Sequence, residues 1–124
     1  MLRKFTMSFH VPGTLSANLN IRFTIPSPCT LIHSSAVASN DSAATLCLGT
    51  SADTDGYLVA CVIGDSNTPV EKEVADFDGA LLTYVGSEPP RLADGTIFVA
   101  ILDYDGAGGT AAADFTLVLT FQEG

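Results

Sequence analysis

The sequence predicts an all-β protein: a single-domain β-sandwich of the jelly-roll type, with eight or so strands and little helix. Three observations predict it. Apolar residues recur at every second position through long stretches and lack a helical period. Clusters of Gly, Pro, Asn, Asp and Ser punctuate those stretches at short, fairly regular spacing, the pattern of sandwiches and barrels. The pattern Asp-x-Asp-Gly occurs three times, at Asp53-Thr54-Asp55-Gly56, Asp76-Phe77-Asp78-Gly79 and Asp103-Tyr104-Asp105-Gly106, about one hairpin apart. Asp and Gly favour tight turns. At 124 residues the chain predicts one domain, residues 1–124, large enough to bury a core without staples.

The elements follow in order. Residues 4–11 alternate, with Phe5, Met7, Phe9 and Val11 on one face and Lys4, Thr6, Ser8 and His10 on the other. That is a half-buried strand, closed by Pro12-Gly13. Residues 15–25 alternate best of all. Leu15, Ala17, Leu19, Ile21, Phe23 and Ile25 face in, which predicts a strand of about 35 Å at ~3.3 Å per residue. Pro26-Ser27-Pro28 ends it. A weaker strand is expected over 29–38 and a short one over 43–48. The apolar run 57–63 fits a strand buried on both faces or a short helix, and its seven-residue length with flanking Gly56 and Gly64 favours the strand. Residues 70–77 read as an edge strand, because Glu71, Lys72 and Glu73 discourage further pairing. Short strands are expected over 80–85 and 96–102. A last one runs over 112–121, with Ala113, Phe115, Leu117, Leu119 and Phe121 facing in. In a jelly roll the two terminal strands pair in the middle of the sheets.

Charge is few and segregated. Charged residues make up 15% of the chain, against roughly 25% in an average globular protein. Residues 1–40 carry Arg3, Lys4 and Arg22 and no acid. Residues 41–124 carry all 14 acids and only Lys72 and Arg91. Such asymmetry marks a partner surface, so Arg3, Lys4 and Arg22 are the candidate partner-binding residues. Residues 1–12 are a candidate docking arm or swapped strand. A net charge of −9 argues against nucleic-acid binding. No stretch reaches the ~20 apolar residues of a membrane span, and residues 1–11 have no apolar run of signal-peptide length.

Three cysteines, Cys29, Cys47 and Cys61, with no Cys-x-x-Cys spacing, argue against a disulfide framework or zinc site. They read as reduced core residues of a protein made in a reducing compartment. His10 and His33 stand apart, and no Gly-x-Ser-x-Gly elbow occurs. The expectation is no enzyme.

Two binding chemistries remain. Aspartates at alternate positions bind Ca²⁺ in oxygen-rich loops. Asp53, Asp55, Asp103 and Asp105 are therefore the calcium candidates, should two loops meet at one end of the sandwich. Solvated acidic turns are the plainer reading, and no other cofactor is expected. Sugar-binding sandwiches stack aromatic rings on sugar faces. This chain has no Trp and only Tyr57, Tyr84 and Tyr104, of which Tyr104 lies inside an Asp-x-Asp-Gly loop. A Tyr at such a boundary also packs readily on its own hairpin.

Taken as a whole, this small, acidic, Ala/Gly/Thr-rich chain resembles the head decoration (cement) proteins of tailed bacteriophages. The resemblance rests on Leu48-Gly49-Thr50, Asp53-Thr54-Asp55-Gly56, Gly64-Asp65 and Leu102-Asp103-Tyr104-Asp105-Gly106 in that order. It implies a jelly-roll or similar β-fold and no enzyme activity. It also implies homotrimers on the capsid exterior that bridge major capsid protein subunits, in a virion assembled in the host cytoplasm. The alternative is a carbohydrate- or calcium-dependent module of a tail fibre or lectin, using the Asp-x-Asp-Gly loops.

Overall fold

The computed structural model describes residues 3–124. Its strands are β1 (Lys4–Thr14), β2 (Leu19–Thr24), β3 (Cys29–Val37), β4 (Asp41–Thr50), β5 (Leu58–Asp65), β6 (Val70–Glu73), β7 (Arg91–Leu92), β8 (Ile97–Asp103) and β9 (Ala113–Glu123). A 3₁₀ turn, Val74–Asp76, is the only helical element of the described residues, and no helix is long and apolar enough to cross a membrane.

Two antiparallel sheets pack face to face, with orders β1-β9-β3-β6 and β2-β8-β4-β5; the two-residue β7 adds to β3. Each early strand lies against a later one: β1 on β9, β2 on β8, β3 on β6 and β4 on β5. That is one long hairpin wrapped over itself, the jelly-roll topology. Strand β9 is central, but β1 is an edge strand and not a middle one as expected.

The core is the space between the sheets. Phe98, Phe115 and Phe121 are fully buried there with Leu31, Leu46, Leu48, Leu102 and Leu117. Aromatic rings tie the layers together. Phe9 of β1 stacks on Phe23 of β2 at 5.7 Å, Phe23 on Phe98 at 5.2 Å, and Phe98 meets Phe121 edge-on at 5.8 Å. These separations are in the range that aromatic pairs prefer.

The departures from the expected elements have local causes. The alternation over 15–25 is not one strand. Strand β2 begins only at Leu19, which pairs with Leu102 near the end of β8, and Leu15 N–H instead donates to Ala112 O just before β9. The chain crosses between sheets at 15–18, so Leu15 and Ile25 are buried and Ala17 is exposed. The weak pattern over 29–38 comes from a bulge between Leu31 and His33. It moves the inward phase from Cys29 and Leu31 to Ser34 and Ala36. Strand β5 is not buried on both faces. It is an edge strand on which Leu58 and Ile63 point in, while Val59 and Val62 are exposed.

Residues 80–85 form turns, not a strand. Their backbone bonds go to two Asp-x-Asp-Gly loops, with Leu81 N–H donating to Gly56 O of the first and Leu82 N–H to Gly79 O of the second. All three thiols are free, but only Cys29 is buried. Cys47 falls between the inward Leu46 and Leu48, on the outer face of its sheet. Burial pushes each thiol up. In each the thiolate, the nucleophilic form, is disfavoured.

Candidate interaction surfaces

The Asp-x-Asp-Gly loops are fastened turns. In the first, Thr50 N–H and Gly56 N–H both donate to Asp53 O, at 2.9 and 3.1 Å. The loop folds back over Gly49, where a β-carbon would collide with Asp53 and Thr54 backbone. Gly49 pairs with Val99, which is fully buried yet lies opposite in phase to the inward Phe98 and Ala100. The loop is thus a lid on the outer face of the second sheet. Within it, a hydrogen bond that Asp55 donates to Asp53 raises the Asp55 carboxyl above its ordinary value. In the second loop Asp76 accepts Glu73 N–H at 3.0 Å and Asp78 accepts Val59 N–H at 2.9 Å. In the third, Asp103 accepts Asp105 N–H at 3.1 Å and Asp105 adopts φ 52°. An Asp tolerates that left-handed conformation better than most residues.

The four calcium candidates do not come together. Asp53 and Asp55 follow Thr50, which pairs with Phe98 at the start of β8; Asp103 and Asp105 follow the other end of that strand. Among the described residues no three His, Cys, Asp or Glu side chains gather in a metal-holding group. Tyr104 packs against the core, its ring over Gly106. His10 Nδ1 lies 2.7 Å from Thr116 Oγ1, and His33 Nε2 lies 3.3 Å from Glu71 Oε1.

A carboxylate the sequence did not single out does more. Asp114 opens β9 in the left-handed region, at φ 51°. It accepts Gly13 N–H at 2.7 Å and the Ser39 hydroxyl at 2.8 Å, joining the end of β1 to the turn after β3. Those bonds, Gly13 first, hold its carboxyl below the ordinary value.

The charge asymmetry of the sequence becomes a spatial one. Strands β1 and β2 face each other across the sandwich, as the Phe9–Phe23 stack shows, and each is an edge. This side carries the candidates Arg3, Lys4 and Arg22. Arg22 Nε donates to Asn20 at 3.0 Å. Carboxylates reach this side too: Glu123, whose N–H donates to Arg3 O, the fastened Asp114, and at the two ends of β2 Asp103, next to the Leu102 that pairs with Leu19, and Asp94, next to the Gly95 that donates to Ile25 O. The opposite side is formed by edges β5 and β6, which also touch. It holds Asp65, Glu71, Glu73, Asp76 and Asp78, with Lys72 as its cation. Among the described residues the one basic–acidic side-chain contact is His33–Glu71, so no Lys or Arg lies within ion-pair distance of a carboxylate there.

The β5/β6 side also carries the exposed apolar residues that sequence reasoning misplaced. Val59 and Val62 come from β5, with Val62 59% exposed; Leu81, Val85 and the 68%-exposed Tyr84 come from the following loop. Asp78 ties that loop to β5 through Val59 N–H, and Leu81 lies against Gly56. The signal available in the sequence was Gly79 beside the run, which breaks a strand.

No protein-family profile matches the chain, and no curated protein matches it. Among solved structures it is similar to a chain of the cyanophage Pam1 capsid asymmetric unit. The TM-score is 0.59 and the identity 14%, over 99% of this chain and 85% of that one. At that identity the likeness establishes a shared fold along the whole length of the sandwich.

Proposed function

We propose that this chain is a structural component of a tailed-phage virion, a homotrimer that decorates the capsid exterior and bridges major capsid protein subunits. The observation that carries the reading is end-to-end correspondence of fold with a chain of a capsid asymmetric unit, in a partner of comparable size. A low-charge exterior supports it, because charged residues are depleted in the cores of protein interfaces. The decoration reading also rests on the order of loops that resembles cement proteins. Stabilisation in this reading is burial of apolar and main-chain surface at many repeated contacts, with no catalytic step, no cofactor, no nucleic acid and no membrane.

Mass spectrometry of density-purified particles tests it. The expected result is this chain at a copy number comparable to the major shell protein. Its absence, or a few copies per particle, overturns decoration and moves the chain to the tail or to a free binding module.

A further inference from the structure

We propose that the β5/β6 side is a socket for the β1/β2 side of a second copy of this chain, so that copies join head to tail through opposite edges of the sandwich. The inference deepens the trimer of the preceding reading by naming its two surfaces. Three observations carry it. The socket presents the exposed Val59, Leu81, Tyr84 and Val85, and the same side carries five carboxylates against the single cation Lys72. The opposite side carries Arg3, Lys4 and Arg22, cations without a carboxylate partner among the described residues. Both sides end in strands with one neighbour each, so both offer backbone N–H and C=O groups outside the ladders, apart from Val59 and Glu73 N–H, which Asp78 and Asp76 already take.

A second copy is the occupant that fits, because each side finds its complement on the same chain. Placement matters as much as charge. A patch that met its own copy would bring acidic rims together, whereas opposite edges bring Arg22 and Lys4 to them. A contact between two different surfaces leaves one of each free, and such contacts close into rings when the rotation allows.

Salt dependence separates this joint from simple apolar association. Two chains of net charge −9 repel, so association through apolar surface alone strengthens as salt screens the repulsion. A joint made by opposite charges weakens. The test is sedimentation velocity of the full chain at high micromolar concentration. The expected species in low salt is a multiple of the 12.9 kDa monomer, falling toward monomer in molar salt. Lys4→Glu with Arg22→Glu removes the plug; Tyr84→Asp with Val85→Asp removes the socket. All four positions are exposed, and circular dichroism checks the fold. Each variant alone should be monomeric, and an equimolar mixture should stop at a dimer, held by its single intact joint. A monomeric wild-type chain, association that grows with salt, or a plug variant that still self-associates overturns the proposal. Should a variant not fold, the salt titration of the wild-type chain still decides. A ring in solution with no copies in particles would keep this inference and remove decoration; a monomer found abundantly in particles would do the reverse.

Discussion

Gly79 approaches Gly56 so closely that a β-carbon on Gly79 would fall inside the Gly56 carbonyl group. Backbone packs on backbone there, since Asp78 and Gly79 N–H both donate to Tyr57 O at 3.1 Å. Two of the three Asp-x-Asp-Gly loops are thereby locked to each other, and the exposed loop with Tyr84 takes its position from that lock. Gly79→Ala cannot be absorbed by a side-chain movement. It should cost about 2–3 kcal/mol, the upper range for overpacking. Urea unfolding checks this; a loss below 1 kcal/mol would mean that the loops part easily.

Asp114 should make the fold acid-sensitive. Its carboxyl is held below the ordinary value by Gly13 N–H and Ser39, so the folded state favours the ionised form. That contribution is present above the ordinary carboxylate range and is lost as pH falls through the lowered folded value. Asp114→Asn keeps a residue that tolerates the left-handed backbone but removes the charge. The variant should melt a few degrees lower at neutral pH, and the gap should close as the pH falls through the lowered folded value. A gap that persists in acid would assign the effect to geometry instead.

Asp55 has the opposite sign. Its carboxyl is raised, chiefly by the hydrogen bond with Asp53, so the fold favours the protonated form. Stability from that bond is present below the ordinary carboxylate range and is lost as pH rises through the raised value. Asp55→Asn, which can donate at any pH, should therefore raise the melting temperature at neutral pH and give no gain in acid. Calcium is the other way to relieve two adjacent carboxylates. With no three carboxylates gathered into a metal-holding group among the described residues, added Ca²⁺ should leave the melt unchanged. A rise of several degrees, reversed by EDTA, would revive the calcium-dependent module.

Deleting residues 1–4 should leave a folded sandwich that no longer associates with capsids. Lys4 is the first residue of β1, and the ladder from Phe5↔Phe121 to Val11↔Phe115 stays intact. Residues 1 and 2 of the arm lie outside the described residues, so the test bears on the charges of Arg3 and Lys4 above all. Unimpaired binding of capsids by the truncated chain would sink the docking-arm idea.

Much of the fold was legible because alternation is a local signal. Phe5 to Val11 and Phe115 to Phe121 each bury one face against the same core, and that period survives in the sequence. What was not legible depended on partners far along the chain. The run Val59 to Val62 reads as core until β5 is known to be an edge with no layer above it. Leu81 and Leu82 read as a strand until their N–H groups are found bonded elsewhere. The Asp-x-Asp-Gly loops were located by sequence, but their use was not. A carboxylate that caps a distant N–H, as Asp78 does for Val59 and Asp114 for Gly13, looks the same in sequence as one free to hold a cation.

The pairing of β1 with β9 also fixes how the molecule bears force. Lys4 lies opposite Gln122, and Arg3 O holds Glu123 N–H at 2.8 Å. Tension applied at residues 3 and 123 would act along the inter-strand bonds, which run perpendicular to antiparallel strands. It would open them one pair at a time, like a zipper. Tension carried across the flanks at β2 and β5 also lies along those bonds but is shared by a whole ladder at once. A particle under internal pressure would therefore be held better by copies gripping one another along their flanks than by copies tethered through that corner.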